Sequence, residues 1–70
     1  MTINQKVLLC AMVLKDMNNT TLSQATGISK GQITNIRRGW NTTYETANKI
    51  ADALGITFNM LINGEVTINE

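Results

Sequence analysis

The 70-residue chain is predicted to form an all-α fold, a compact bundle of about five helices. Three observations predict this fold. Apolar residues recur at helical spacing in several segments, side chains that cap helices precede those segments, and glycines follow them. A chain of this length makes one domain at most and buries only about 60% of its unfolded surface. Its margin of stability is therefore thin, and association with a partner would help it.

The first helix is expected from about Ile3 to Met17, because Thr2 and Gln5 form a capping-box pattern. Its apolar run covers more than one face of the helix. Leu8 and Ala11 suffice for an internal stripe, which leaves several apolar residues without an assigned neighbour, namely Val7, Leu9, Cys10, Val13 and Leu14. Our first interpretation is that the bundle sandwiches this helix, so that other helices cover its apolar residues on more than one side. The alternative is a second apolar contact surface for another subunit or partner.

Two short helical patterns follow, one over about Thr20 to Thr26 and one over about Lys30 to Arg38, with a tight turn at Gly27 between them. Ser29 is the expected N-cap of the later helix, and Gly39 is expected just after its end. The apolar residues of this segment are predicted to face the core; they are Leu22, Ile28, Ile33 and Ile36.

The fourth helix is expected to start at a capping box of Thr42 and Glu45, to reach Leu54 and to stop at Gly55. Its predicted buried stripe consists of Ala47, Ile50, Ala51 and Leu54. A fifth helix is expected over Phe58 to Ile62, with Thr57 as its cap and with Asn63 and Gly64 at its end. Trp40 and Tyr44 flank the loop before the fourth helix, and we expect them to pack in the core or to brace that loop.

Residues 1–64 are therefore assigned to one domain, and residues 65–70 to a C-terminal tail. In the tail, Val66 and Ile68 alternate with polar residues, as in a short strand. Because a lone strand is not stable, the tail is either a frayed end or pairs with its counterpart in a second subunit.

Composition excludes several classes of protein. The chain has one cysteine and no histidine, so a disulfide within it is impossible and no metal or other cofactor is expected. Its few carboxylates are scattered and no nucleophile is paired with a base, so we do not expect an enzyme. The apolar run of the first helix is shorter than the roughly 20 residues of a bilayer span and lacks a signal-peptide cleavage region. We expect a cytoplasmic protein with no membrane and no small-molecule ligand.

The charges are unevenly distributed, although the formal net charge is only +1. Residues 17–44 contain three cations and no anion, whereas residues 45–70 contain one cation and four anions. The outward residues of the third helix carry hydrogen-bond donors and no carboxylate. Such a face suits an anionic partner that is rich in acceptors, and an α-helix fits the major groove of duplex DNA.

The chain from Leu8 to about Gly64 resembles the phage Cro/CI repressor family of helix-turn-helix proteins, also called the XRE family. The matching elements are Leu22, Gly27, Ile28, Ser29, Ile33, Ile36 and Gly39, then KIADALGI from Lys49 to Ile56, then Met60 and Leu61. The resemblance implies a lambda-repressor-like bundle that binds operator-like duplex DNA, usually as a dimer. Many members pair an arginine on the first helix with a glutamate on the third, and the matching positions here hold Met12 and Arg37, so both partners are missing together.

By matching position, the residues expected to contact bases are Lys30, Gly31 and Asn35, and their neighbours Gln32 and Thr34 are added to this set. Phosphate contacts are expected near helix ends, where free backbone N–H groups and polar side chains meet anionic oxygens, from Asn19, Arg37, Arg38, Asn41, Thr42 and Thr43. The dimer interface is expected in the acidic C-terminal region, at Phe58, Met60, Leu61, Val66 and Ile68.

The sequence thus predicts a sequence-specific, double-stranded DNA-binding regulator of transcription. A Cro-type repressor that occupies a palindromic operator as a homodimer is the favoured form. The alternative is a protein-interaction module or an antitoxin component with the same fold. The two differ in whether the protein prefers particular DNA sequences over competitor DNA.

Overall fold

The computed structural model describes residues 1–64, and the all-α prediction is confirmed there. Five helices follow one another: α1 (Gln5–Leu14), α2 (Asn19–Thr26), α3 (Lys30–Arg37), α4 (Tyr44–Leu54) and α5 (Phe58–Asn63). Helix α2 packs against α3 and α4, α5 packs against α4 and α1, and α1 also contacts α3. The strand considered for the tail lies outside the described residues. Within residues 1–64, no helix has the length and apolar character needed to span a bilayer.

One apolar core holds the helices together, and the predicted inward stripes supply most of it. The buried residues are Ile3, Leu8, Ala11, Met12, Leu22, Ile28, Ile33, Ile36, Ala47, Ile50, Ala51, Leu54 and Leu61. The predictions for Leu22, Ile28, α3 and α4 are therefore confirmed. Met12 adds to the α1 stripe, so the position that holds an arginine in many family members is filled here by an apolar side chain in the core.

Helix α1 is shorter than predicted at both ends. Its N-cap is Asn4, whose Oδ1 accepts a hydrogen bond from the Val7 N–H at 3.0 Å, so the predicted capping box of Thr2 and Gln5 is wrong. At the other end, Asp16 has a φ of 53° and the Met17 N–H donates to the Met12 carbonyl at 2.8 Å. This pair of features is the Schellman motif that terminates helices, and it stops α1 before Met17.

The N-cap of α4 is Thr43, one residue later than predicted. The Thr43 hydroxyl accepts a hydrogen bond from the Thr46 N–H at 3.2 Å. Thr42 instead lies in the preceding loop, and its backbone N–H donates to the Met1 carbonyl at 2.7 Å. The other predicted ends are confirmed: Thr57 caps α5, and Gly55 and Gly64 follow α4 and α5 in the left-handed conformation.

The outward side of α1 is not covered, so the interpretation that the bundle sandwiches this helix is wrong. Leu9, Val13 and Leu14 are 50%, 70% and 85% exposed, and Cys10 is exposed as well. The core uses the Leu8, Ala11 and Met12 side of the helix, and α1 packs against α3 and α5. An apolar surface therefore faces solvent in the described part of the protein.

The structure also corrects the expected dimer interface. Leu61 is fully buried in the core of the monomer, where α5 packs against α1 and α4, so its side chain is not available to a second subunit. Phe58 and Met60 are half-buried and keep part of their surface exposed. Val66 and Ile68 lie outside the described residues.

Candidate nucleic-acid interface

Helices α2 and α3 are held at a fixed angle by the turn between them. Gly27 has a φ of 76°, a conformation that suits glycine. The Thr26 hydroxyl donates to the Leu22 carbonyl at 2.7 Å and accepts from the Ile28 N–H at 3.2 Å, and the Ser23 hydroxyl donates to the Ile28 carbonyl. These side chains tie the end of α2 to the residue before α3. Three side-chain hydrogen bonds therefore hold the turn, and the turn positions α3 relative to α2.

Ser29 is the N-cap of helix α3, as predicted, and its hydroxyl accepts a hydrogen bond from the Gln32 N–H at 3.2 Å. Ile33 and Ile36 are buried and anchor the helix to the core. The predicted base-contact residues lie on the other side: Lys30, Gly31 and Gln32 are exposed, and Thr34 and Asn35 are half-buried. The helix thus presents its first turn and the next outward position to solvent, which are the positions that reach base edges in a helix-turn-helix.

Gly31 and Asn35 differ in what they offer to a partner. A Cβ added at Gly31 would meet no atom within 4 Å, so the helix has free space on this side. The Asn35 side chain makes no hydrogen bond to another residue in the described range, while its backbone carbonyl accepts from the Arg38 and Trp40 N–H groups. The amide of Asn35 is therefore available to donate and accept at one base edge.

A chain of hydrogen bonds joins the start of α2 to α3. Arg37 Nη1 donates to Asn19 Oδ1 at 2.7 Å, and Asn19 Nδ2 donates to Thr34 Oγ1 at 3.1 Å. Thr34 Oγ1 in turn donates to the Lys30 carbonyl at 2.9 Å. The Thr34 hydroxyl has one proton, and that proton is used inside the protein. Thr34 therefore offers a partner its methyl group, while Asn19 and Arg37 share one polar site.

This network is the part of the site that sequence reasoning missed. Asn19 and Arg37 were expected to contact phosphate separately, and Thr34 was expected to contact bases. Their contact depends on how α2 crosses α3, and no local pattern reports that crossing. Asn19 is the first residue of α2, so the Arg37 guanidinium is hydrogen-bonded to a side chain at the N-terminal end of that helix.

The loop between α3 and α4 carries the remaining predicted phosphate contacts. Arg38, Asn41 and Thr43 are exposed. Thr42 differs, because its Oγ1 is buried and has no hydrogen-bond partner among the described residues. A phosphate contact through the Thr42 hydroxyl is therefore inconsistent with its placement, and the exposed hydroxyl of this pair belongs to Thr43, which also caps α4.

The two aromatic residues of the loop are not core residues. Trp40 and Tyr44 are both 60% exposed, so the expectation of core packing is wrong for them. Tyr44 braces the end of the loop, since its ring lies 4.7 Å from the Phe58 ring, centroid to centroid.

The electrostatic character of this surface follows from three cations without a nearby carboxylate. Lys30, Arg37 and Arg38 are all exposed, and the ion pair found in residues 1–64, between Lys49 and Glu45, lies on α4. The surface formed by the start of α2, the outward side of α3 and the following loop is thus positive and rich in donors. Duplex DNA is complementary to this surface, because its phosphates are negatively charged and its grooves are rich in hydrogen-bond acceptors.

The comparisons with known proteins agree with this geometry. A family model described as a Cro/C1-type HTH DNA-binding domain matches residues 8–66. The match covers most of the chain, including all of α2, the turn and α3. No curated protein and no solved structure matches the chain.

Proposed function

Because the chain belongs to the family of Cro/C1-type HTH DNA-binding domains, we propose that it is a sequence-specific transcriptional repressor of Cro type. It would act in the cytoplasm as a homodimer on a palindromic operator, with no cofactor, no small-molecule ligand and no catalytic step. The observation that carries the proposal is the outward side of α3, which is exposed, free of carboxylates and anchored to the core through Ile33 and Ile36.

Base reading would fall to the exposed first turn of α3 and to Asn35. A lysine at position 30 can donate to guanine O6 and N7, and the amide of Asn35 can pair with adenine N6 and N7. Gln32 lies beside them, and Gly31 lets the helix approach the bases closely. Thr34 contributes its methyl group, because its hydroxyl is held by Asn19 and the Lys30 carbonyl.

Phosphate contacts would fix the helix in the groove. The shared site of Asn19 and Arg37 lies on one side of α3, and Arg38, Asn41 and Thr43 lie beyond its C-terminal end. Contacts on both sides of the inserted helix fix its register, whereas the bases select the sequence. In a two-fold dimer the two copies of α3 would reach successive major grooves, about 34 Å apart, and the bound protein would exclude the polymerase.

Selection of bound duplexes from a random DNA pool tests this function. We expect a two-fold symmetric consensus whose half-sites are one helical turn apart. The Asn35→Ala variant is the informative control, since the selected sequence should lose its preference at one position of each half-site while other positions persist. Recovery of sequences without a consensus would contradict the proposal.

A protein-interaction module or antitoxin component remains the second candidate, because α1 exposes an apolar surface that DNA does not need. Such a protein would bind DNA, if at all, with equal affinity for specific and competitor duplexes. A gel shift with labelled genomic fragments and an excess of unrelated competitor separates the two functions.

A further inference from the structure

Helices α1 and α4 end in the same Schellman motif, in which a left-handed residue is followed by one whose N–H bonds back to the helix. After α1, the Met17 N–H donates to the Met12 carbonyl at 2.8 Å. After α4, the Ile56 N–H donates to the Ala51 carbonyl at 3.0 Å. Both acceptor residues are buried, and both donor residues pack against the same core. At these two ends, the apolar residue that follows the helix therefore covers the core.

Helix α3 ends in the same motif, but here the residue beside the motif is polar. Gly39 has a φ of 95°, and its N–H donates to the Ile36 carbonyl at 3.0 Å. The Trp40 N–H donates to the Asn35 carbonyl at 3.1 Å. Trp40 is 60% exposed, and Asn35 carries the amide expected to read a base. The apolar residue of this motif thus stands beside the base-reading residue and in solvent, whereas its counterparts after α1 and α4 pack against the core.

The sequence neighbours of Trp40 indicate which partner would cover it. Arg38 and Asn41 are exposed and are expected to contact phosphates. The indole combines a large apolar ring with one N–H donor. An apolar surface between a cation and an amide is complementary to the DNA backbone, in which each deoxyribose lies between two phosphates. Because the bases of a duplex are stacked on one another, the sugar is the apolar surface that this ring can reach.

We propose that Trp40 is a specificity-determining residue, whose ring packs against the deoxyribose beside the base pair that Asn35 reads and excludes water from that contact. The proposal rests on the proposed function, because it requires α3 to lie in the major groove. A hydrogen bond to a base edge discriminates more strongly when water cannot replace it, and residues that exclude water commonly surround the contacts that dominate binding. Trp40 supplies this cover for Asn35.

Tryptophan fluorescence of the wild-type protein tests the contact without any substitution. Trp40 is the single tryptophan of the chain, so the emission reports on this residue alone. The constant for quenching by acrylamide should fall at least about twofold on saturation with a selected duplex, because the ring is 60% exposed in the free protein and covered in the complex. An unchanged quenching constant in the saturated complex would overturn the proposal.

Substitutions of Trp40 test its contribution to affinity. Trp40→Ala should raise the dissociation constant for the selected duplex at least about tenfold, because an aromatic ring is no longer buried. The salt dependence of binding should stay the same, since no charge is removed. Trp40→Phe keeps a ring and loses one N–H donor, so it should raise the constant only about threefold. Gln24→Ala, at an exposed position of α2, is the control and should leave the constant unchanged. Circular dichroism verifies that the variants fold.

A double-mutant cycle tests whether Trp40 acts on the contact of Asn35. Trp40→Ala should reduce the preference for the base pair that Asn35 reads at least about threefold, and the preference at the position read by Lys30 should persist. In the Asn35→Ala background, Trp40→Ala should weaken binding less than it does in the wild-type protein. Additive effects of the two substitutions, or an equal loss of preference at every position, would overturn the role of Trp40 in specificity.

The outcomes separate this proposal from the proposed function. If selection yields a consensus and the ring stays equally open to acrylamide in the complex, the proposed function stands and the role of Trp40 fails. If no duplex is selected, both fail. A salt dependence that weakens together with the affinity of Trp40→Ala would show that the substitution acts through Arg38, and it would overturn the direct contact of the ring.

Discussion

Substitution of alanine for Gly31 tests whether the outward side of α3 is as open as the structure shows. The free protein offers no atom within 4 Å of the added Cβ, and Gly31 is not in the left-handed region. The substitution therefore introduces no clash in the folded protein. It also reduces the number of backbone conformations of the unfolded chain, so less conformational entropy is lost on folding. A glycine inside a helix costs about 0.5–1 kcal/mol relative to alanine.

The expected gain lies near the lower limit, at about 0.5 kcal/mol, because Gly31 is the second residue of α3 and the first turn is less restricted than the interior. For a domain of this size, 1 kcal/mol shifts the melting temperature by about 4–8 °C. Gly31→Ala should therefore raise the melting temperature by about 2–4 °C. Thermal unfolding followed by circular dichroism measures the change.

Gly39→Ala is the matched control, and it should lower the stability of the protein. Gly39 has a φ of 95°, and its added Cβ would lie 2.6 Å from Nε2 of Gln5. The left-handed conformation costs an L-residue about 1–2 kcal/mol, and removing the neighbour with Gln5→Ala should not restore the stability. If Gly31→Ala lowers the stability, the first turn of α3 is covered and the reasoning about this surface is refuted. When stability rises as expected, an altered consensus in DNA selection for the same variant reports on the interface alone.

Three further predictions concern the site and the core. Asn35→Ala should weaken the free energy of binding to the preferred duplex by about 1–3 kcal/mol, and it should have little effect on duplexes changed at the contacted base pair. Fluorescence anisotropy with both sets of duplexes measures the difference. An equal effect on every sequence would assign Asn35 to a phosphate contact. Arg38→Ala should lower the affinity for all duplexes similarly. It should also reduce the slope of the logarithm of the binding constant against the logarithm of the salt concentration by about one unit for each phosphate that the variant no longer neutralises. Gln24→Ala, at an exposed position of α2, is the control and should change neither quantity. Leu61→Ala should lower the free energy of unfolding by about 2–5 kcal/mol in urea titrations, because Leu61 is fully buried in the core. If Leu61 served mainly in a subunit contact, the substitution would instead raise the dissociation constant of the dimer.

The sequence predicted what depends on local spacing. The inward positions of α3 and α4 follow from the 3.6-residue period, and Gly27, Gly55 and Gly64 mark the ends of helices because they adopt a left-handed conformation. These features need no knowledge of neighbouring elements, so reasoning along one chain reaches them. The position of the helix-turn-helix and the exposed character of its first turn followed in the same way.

Errors occurred where two adjacent residues have the same capping ability, or where a neighbour decides. Thr42 and Thr43 have the same side chain and the same capping ability. The hydrogen bond from the Thr42 N–H to the Met1 carbonyl holds Thr42 in the loop, so Thr43 takes the cap position. The apolar surface of α1 was visible in the sequence, but only the arrangement of the other helices shows that no described residue covers it. The network of Asn19, Thr34 and Arg37 likewise depends on how two helices cross.

The central claim is that α3 enters the major groove with its first turn and Asn35 towards the bases. An NMR titration of the protein with a selected duplex tests it most directly. We predict that the largest changes in amide and side-chain shifts occur in residues 30–38 and at the start of α2, including the Asn35 side-chain amide. Shift changes confined to α1, with α3 unaffected, would contradict the account.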